Sequence, residues 1–164
     1  MEFEIVELEE FSGSEAAIYS VVVDDSDNTL FDYFIEENSE EYANELKSII
    51  TRLEVINEIE GARKGYFKMD EGKPGDGVSA LYDDPDSKLR LYCIRYGMVA
   101  VLLGGGGPKP KNVRAWQDDK KLTLEATTLI EISKRITNRM KEGDLQLSAS
   151  GKLIGNLKFK DDEN

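Results

Sequence analysis

GVSALYDDPDSKLRLYCIRYGMVAVLL, residues 77–103, decides the fold. Gly77 to Tyr82 and Lys88 to Tyr96 are rich in β-branched, aromatic and aliphatic residues, the composition of strands. Between them, Asp83-Asp84-Pro85-Asp86-Ser87 carries the residues that favour a tight turn. Gly97 separates the second run from a third, Met98 to Leu103. The stretch therefore predicts an antiparallel meander with short connections. Side chains alternate along a strand. Leu89, Leu91 and Cys93 then face a core, while Arg90 and Tyr92 point outward.

Upstream, Gly65 to Met69 predicts another short strand. Before it, Tyr42, Leu46, Ile49, Ile50, Leu53 and Ile56 recur at helical spacing, predicting a helix over 40–58. Ser39 is the expected N-cap, Glu40 and Glu41 suit the positive end of the helix, and Gly61 is the stop. Leu30, Phe31, Phe34 and Ile35 predict a shorter helix within 29–37. Residues 2–8 and 16–23 read as strands, with a turn at Asp24 to Asn28. Downstream, Gly104 to Gly107 ends the strand pattern. A last helix is expected from Thr123, its N-cap, to Glu142, with Gly143 as the C′ residue. Ser150-Gly151 is placed to turn a terminal hairpin.

The chain has 164 residues, a length that fits one domain with a core of its own. No repeat or long linker divides it. A single cysteine, Cys93, allows no internal disulfide and suits a reducing compartment. The acidic start is unlike a signal peptide, and no apolar run approaches the ~20 residues of a membrane span. These features predict a cytoplasmic protein.

The histidine count is zero. Histidine is the commonest general base near neutral pH, so a Ser-His-Asp triad, a Cys-His pair and a His-ligated zinc are all excluded. The net charge of −12 is unevenly spread. Residues 1–60 hold 18 Asp/Glu against 2 Lys/Arg, whereas residues 61–115 hold 10 Lys/Arg against 6 Asp/Glu. The whole chain is too acidic for a general nucleic-acid binder, but its basic middle has room for a local anionic ligand.

Gly104 to Gly107 followed by Lys109 lacks the Ser/Thr and the immediate helix of a phosphate loop. The run fits a flexible loop that lets backbone approach a ligand or partner. Asp83, Asp84 and Asp86 lack the spacing of a calcium loop, so no metal and no cofactor is expected. Trp116 is suited either to stack on a base or to pack between a loop and a helix. The cations Arg63, Lys64, Lys68, Arg90, Arg95, Lys109, Lys111 and Arg114 lie on or beside the expected sheet. Grouped cations hold a phosphodiester and stabilise charge developing on it. The alternative is a solvated basic face paired with the acidic N-terminal region.

GARKGYFK (61–68), GDGVSALYDD (75–84) and KLRLYCIRYGMVAVLLGGGGPKPK (88–111) together resemble the RelE/HigB/ParE toxin superfamily and a RelE-like group of uncharacterised proteins. The resemblance covers residues 42 to 140. It implies an α+β fold in which two helices pack on a mostly antiparallel RelE-like sheet. N-terminal strands and a C-terminal helix and hairpin complete this chain. One domain, 1–164, is expected, with 1–28 and 143–164 as extensions outside the resemblance. The resemblance further implies a toxin-antitoxin protein, a metal-independent endoribonuclease that cuts mRNA on the ribosome and is neutralised by a helix-turn-helix antitoxin. Arg90 matches the family's strand arginine, Lys68 its basic positions and Lys109 its lysine-bearing loop. Tyr92 is added as a catalytic candidate, and Arg63, Lys64, Arg95, Lys111 and Arg114 as RNA-binding candidates. The alternative function is a non-catalytic protein-interaction module that keeps the toxin fold.

Overall fold

The computed structural model describes residues 1–68, 77–81, 87–110 and 119–161. Among these the chain folds as α+β. Strands β1 (Phe3–Glu7) and β2 (Ala17–Val23) come first, then helices α1 (Leu30–Asn38) and α2 (Ala43–Val55). Strands β3 (Phe67–Lys68), β4 (Val78–Leu81), β5 (Leu89–Tyr96) and β6 (Ala100–Pro108) follow. Helix α3 (Lys120–Glu142) leads into β7 (Leu145–Leu147), β8 (Leu153–Gly155) and β9 (Lys158–Phe159).

One sheet runs in the order β3-β4-β5-β6-β2-β1-β9, and β7 and β8 form a separate hairpin. Every pairing in the sheet is antiparallel except β2 with β6. The meander expected over 77–103 is present as β4, β5 and β6, with Val78 opposite Ile94 and Arg95 opposite Val101.

Two cores lie on opposite faces of the sheet. Under α1 and α2, Phe31, Phe34, Leu53 and Ile56 pack on Leu89, Leu91, Cys93 and Leu103. Under α3, Leu122, Leu129, Ile132 and Ile136 pack on Tyr92, Ile94 and Leu102. The expectation that Leu89, Leu91 and Cys93 face a core holds. The expectation that Tyr92 points outward does not, because α3 covers that face and Tyr92 is 0% exposed. A strand read as half-buried is covered on both faces, and an amphipathic tyrosine is equally at home in either setting.

Three boundaries also move. Ser39 closes α1 rather than opening α2: its hydroxyl donates to the Glu36 carbonyl, and α2 begins at Ala43. The N-cap of α3 is Asp119, whose side chain accepts from Leu122 N at 2.8 Å, so Thr123 lies inside the helix. Gly104 to Gly107 is not a loop but the second half of β6, and it is buried. Gly143 does end α3 in the left-handed conformation, and Ser150-Gly151 does lie between β7 and β8. Among the described residues, no helix is long and apolar enough to cross a membrane.

Candidate functional site

The glycine run determines what can happen beside Arg90. Between Leu91/Gly106 and Cys93/Leu103 the register of β5 and β6 shifts by one residue, a bulge on the glycine strand. A Cβ on Gly106 would stand 1.8 Å from the Arg90 carbonyl oxygen, so only glycine lets the two backbones meet there. On the α3 side, a Cβ on Gly105 would stand 2.2 Å from the Glu125 carboxylate, and one on Gly104 would stand 2.8 Å from Leu129. Lys121 also lies over Gly107, though a Cβ there would only reach ordinary contact, 3.4 Å from its side chain. Lys121, Glu125 and Leu129 are spaced by four and share one face of α3. Bare strand thus admits the first turns of α3 close to the sheet.

Arg90 sits opposite Gly107 on β5, half-buried, on the α3 side. Lys109 follows β6 directly. Its backbone N–H donates to the Lys88 carbonyl at 2.6 Å, and its Nζ lies 3.4 Å from Ser87 Oγ. Arg90 and Lys109 are thereby brought to one end of the β5–β6 hairpin, with exposed Lys88 beside them and exposed Lys120 opening α3. Lys121 completes this end. Its Nζ donates to Glu125 at 2.7 Å and to Glu37 of α1 at 3.2 Å. Burial opposes the charge on Lys121, but Glu125 and Glu37 outweigh it and hold the ammonium above the usual lysine range.

The other candidates scatter. Lys68 is half-buried on β3, aligned with Ala80 and through it with Tyr92. Strand spacing puts its Cα about 12 Å from that of Arg90, on the same face. Arg95 points to the α2 side of the sheet, where its Nε donates to the Ala62 carbonyl at 2.5 Å. It lies about 17 Å along β5 from Arg90. Arg63 is exposed beside it, 3.7 Å from Glu60, and Lys64 is exposed in the turn before β3. Lys111, Arg114, Trp116, Asp83, Asp84 and Asp86 lie outside the described residues.

The seven candidates among the described residues are therefore not one site. Arg90 and Lys109 are together, Lys68 stands apart on their face, and Arg63, Lys64 and Arg95 occupy the far end on the other face. Tyr92 is beneath α3 and reaches no ligand. Lys121 and Glu125 were missed, although a Lys/Glu pair four residues apart on a helix is legible in sequence. Among the described residues, no group of three or more His, Cys, Asp or Glu side chains is gathered for a metal. Cys93 is fully buried, and loss of water pushes its thiol up to about 12, far from a reactive thiolate.

No protein-family model, curated protein or solved structure matches this chain.

Proposed function

We propose that the chain is a RelE/HigB-like toxin of a toxin-antitoxin system, an RNA-cleaving protein whose phosphate-binding end is built by Arg90 and Lys109. The observation that carries this reading is the register that delivers both side chains to one end of β5 and β6. The packing of α1 and α2 on one face of a mostly antiparallel sheet is also what the toxin resemblance implies. Half-buried cations bind a phosphodiester more strongly than fully solvated ones, because water screens them less. With Tyr92 buried, the described cations supply charge stabilisation and not proton transfer. Lys68, on the same face, is suited to hold RNA further along its backbone. The partners that go with this reading are a helix-turn-helix antitoxin, mRNA and the ribosome, in the cytoplasm.

Inducible expression in a bacterium tests it, scoring growth and mapping mRNA ends. Wild type is expected to arrest growth and create new ends. Arg90→Ala is expected to lower cleavage by about 100-fold, the loss typical of one charge-stabilising donor. Tyr92→Phe serves as the control and is expected to cleave like wild type. Normal growth at good soluble expression of the wild type would sink the toxin reading.

A second reading, a non-catalytic interaction module, is favoured by the acidic α1–α2 region. Glu36, Glu37, Glu40 and Glu41 crowd the junction of the two helices, and all four are exposed. Such a surface repels RNA over about a Debye length, ~8 Å at physiological salt, and attracts basic protein. Under this reading the wild type causes no arrest and retains a basic partner that high salt releases.

A further inference from the structure

The two segments outside the toxin resemblance meet on one edge of the sheet. Strand β9 is the last strand there, and its inner side pairs with β1 through Ile5 N donating to the Leu157 carbonyl at 2.9 Å. In an antiparallel ladder this register turns the polar groups of 157 and 159 toward β1 and those of 156, 158 and 160 away from it. An edge of that kind ordinarily offers a bare row of donors and acceptors to another strand.

Here five of these outward groups are taken by the chain itself. Asn156 N donates to the Asp144 carbonyl at 3.0 Å, and Lys158 N donates to Asn156 Oδ1 at 3.1 Å. The Asn156 and Lys158 carbonyls accept from Arg139 Nη1 at 3.0 and 2.5 Å. The Lys160 carbonyl accepts from Arg135 Nη2 at 2.8 Å. Both arginines reach over from α3, and both are braced. Arg139 is 8% exposed, with its guanidinium 3.6 Å from the centre of the Phe159 ring. Arg135 lies 5.0 Å over Phe3, which stacks on Phe159 at 4.3 Å.

We infer that Arg135, Arg139 and Asn156 form a lock on the β9 edge that prevents strand addition by a second copy of this chain. A planar guanidinium suits the task because one head group satisfies two carbonyls and blocks the approach of a strand. The natural intruder is another β9, since two identical edges pair about a two-fold axis. The inference is independent of the toxin reading.

Light scattering of the purified full chain across a concentration series tests it. Arg139→Met keeps an apolar stem over Phe159 and removes the donors. Asn156→Ala, at an exposed position, bares the Lys158 N–H alone. Wild type is expected to be a monomer. Each variant is expected to dimerise at least about tenfold more tightly than wild type. Adding Lys158→Pro to either variant removes an outward N–H and no bond to β1, and is expected to restore the monomer. A wild type that already pairs through this edge overturns the inference. So do variants that are folded by circular dichroism yet stay monomeric. Should Arg139→Met fail to fold, Asn156→Ala decides the matter alone.

Discussion

At its Tyr96–Ala100 end the β5–β6 hairpin closes in a tight turn, and its arginine is committed to structure: Arg95 Nε is held by the Ala62 carbonyl at 2.5 Å. At its Leu89–Pro108 end the same two strands carry the bulge, the glycines and the start of α3, and Arg90 shares that end of the hairpin with Lys88 and Lys109. Both arginines belong to one strand and read alike in sequence. One anchors the chain between α2 and β3 to the sheet, while the other lies half-buried at the opposite end of the hairpin, on the α3 side. Five residues of strand place them on opposite faces, because an odd number of steps inverts the side chain.

Breaking the glycine end has the largest expected effect. Gly106→Ala places a methyl group against the Arg90 carbonyl, and neither backbone can rotate away. A loss of about 3 kcal/mol is expected, the upper range for overpacking. For a chain of this size that lowers Tm by about 6–12 °C in a thermal melt. Gly65→Ala is the matched control, with nothing within 4 Å of the new Cβ, and is expected to change stability by less than about 0.5 kcal/mol. Equal losses in the two variants would mean that the close approach of β5 and β6 is not what requires glycine.

Arg95→Ala sharpens the contrast with Arg90→Ala. It removes a charged donor from the partly buried Ala62 bond, so about 1–2 kcal/mol of stability is expected to go in urea denaturation. Under the proposed toxin reading, RNA cleavage per folded molecule is expected to persist. A loss of cleavage in Arg95→Ala as large as in Arg90→Ala would merge the two ends into one site.

The smallest effect concerns pH. The Cys93 thiol between the two ends has an ordinary value of 9.0 and is pushed up to about 12 by burial. The folded state therefore holds its proton where the unfolded chain releases it. That contribution to stability is complete below about pH 9 and is lost as pH rises toward 12. Burial also raises the Tyr96 hydroxyl, with the same sign. Melting temperatures between pH 8 and 11 are expected to fall, and to fall less steeply in Cys93→Ala. An identical slope in that variant would show that the thiol does not titrate on unfolding.

Much of the fold was legible because its signals are local. Turn chemistry at Gly97, alternation from Leu89 to Cys93 and helical spacing from Leu46 to Ile56 each depend on neighbours a few residues away. The meander, the two helices before it and the Gly143 stop all follow from such patterns. The zero histidine count excluded histidine chemistry without any structure.

Other features depended on contacts between distant parts of the chain. Tyr92 has the composition of an outward residue, and only the docking of α3 buried it. Gly104 to Gly107 resembles a loop in any local reading, because glycine has little strand preference of its own. It becomes strand because β5 supplies the hydrogen bonds on one side and α3 fills the space that side chains would occupy. Arg139 reads as an ordinary basic residue near a helix end, until the tail returns and presents its carbonyls. By itself the sequence determined which segments form helices and strands, since those preferences act over a few residues. The tertiary structure alone decided which cations share an end and which face is covered, since both depend on side chains meeting across tens of residues.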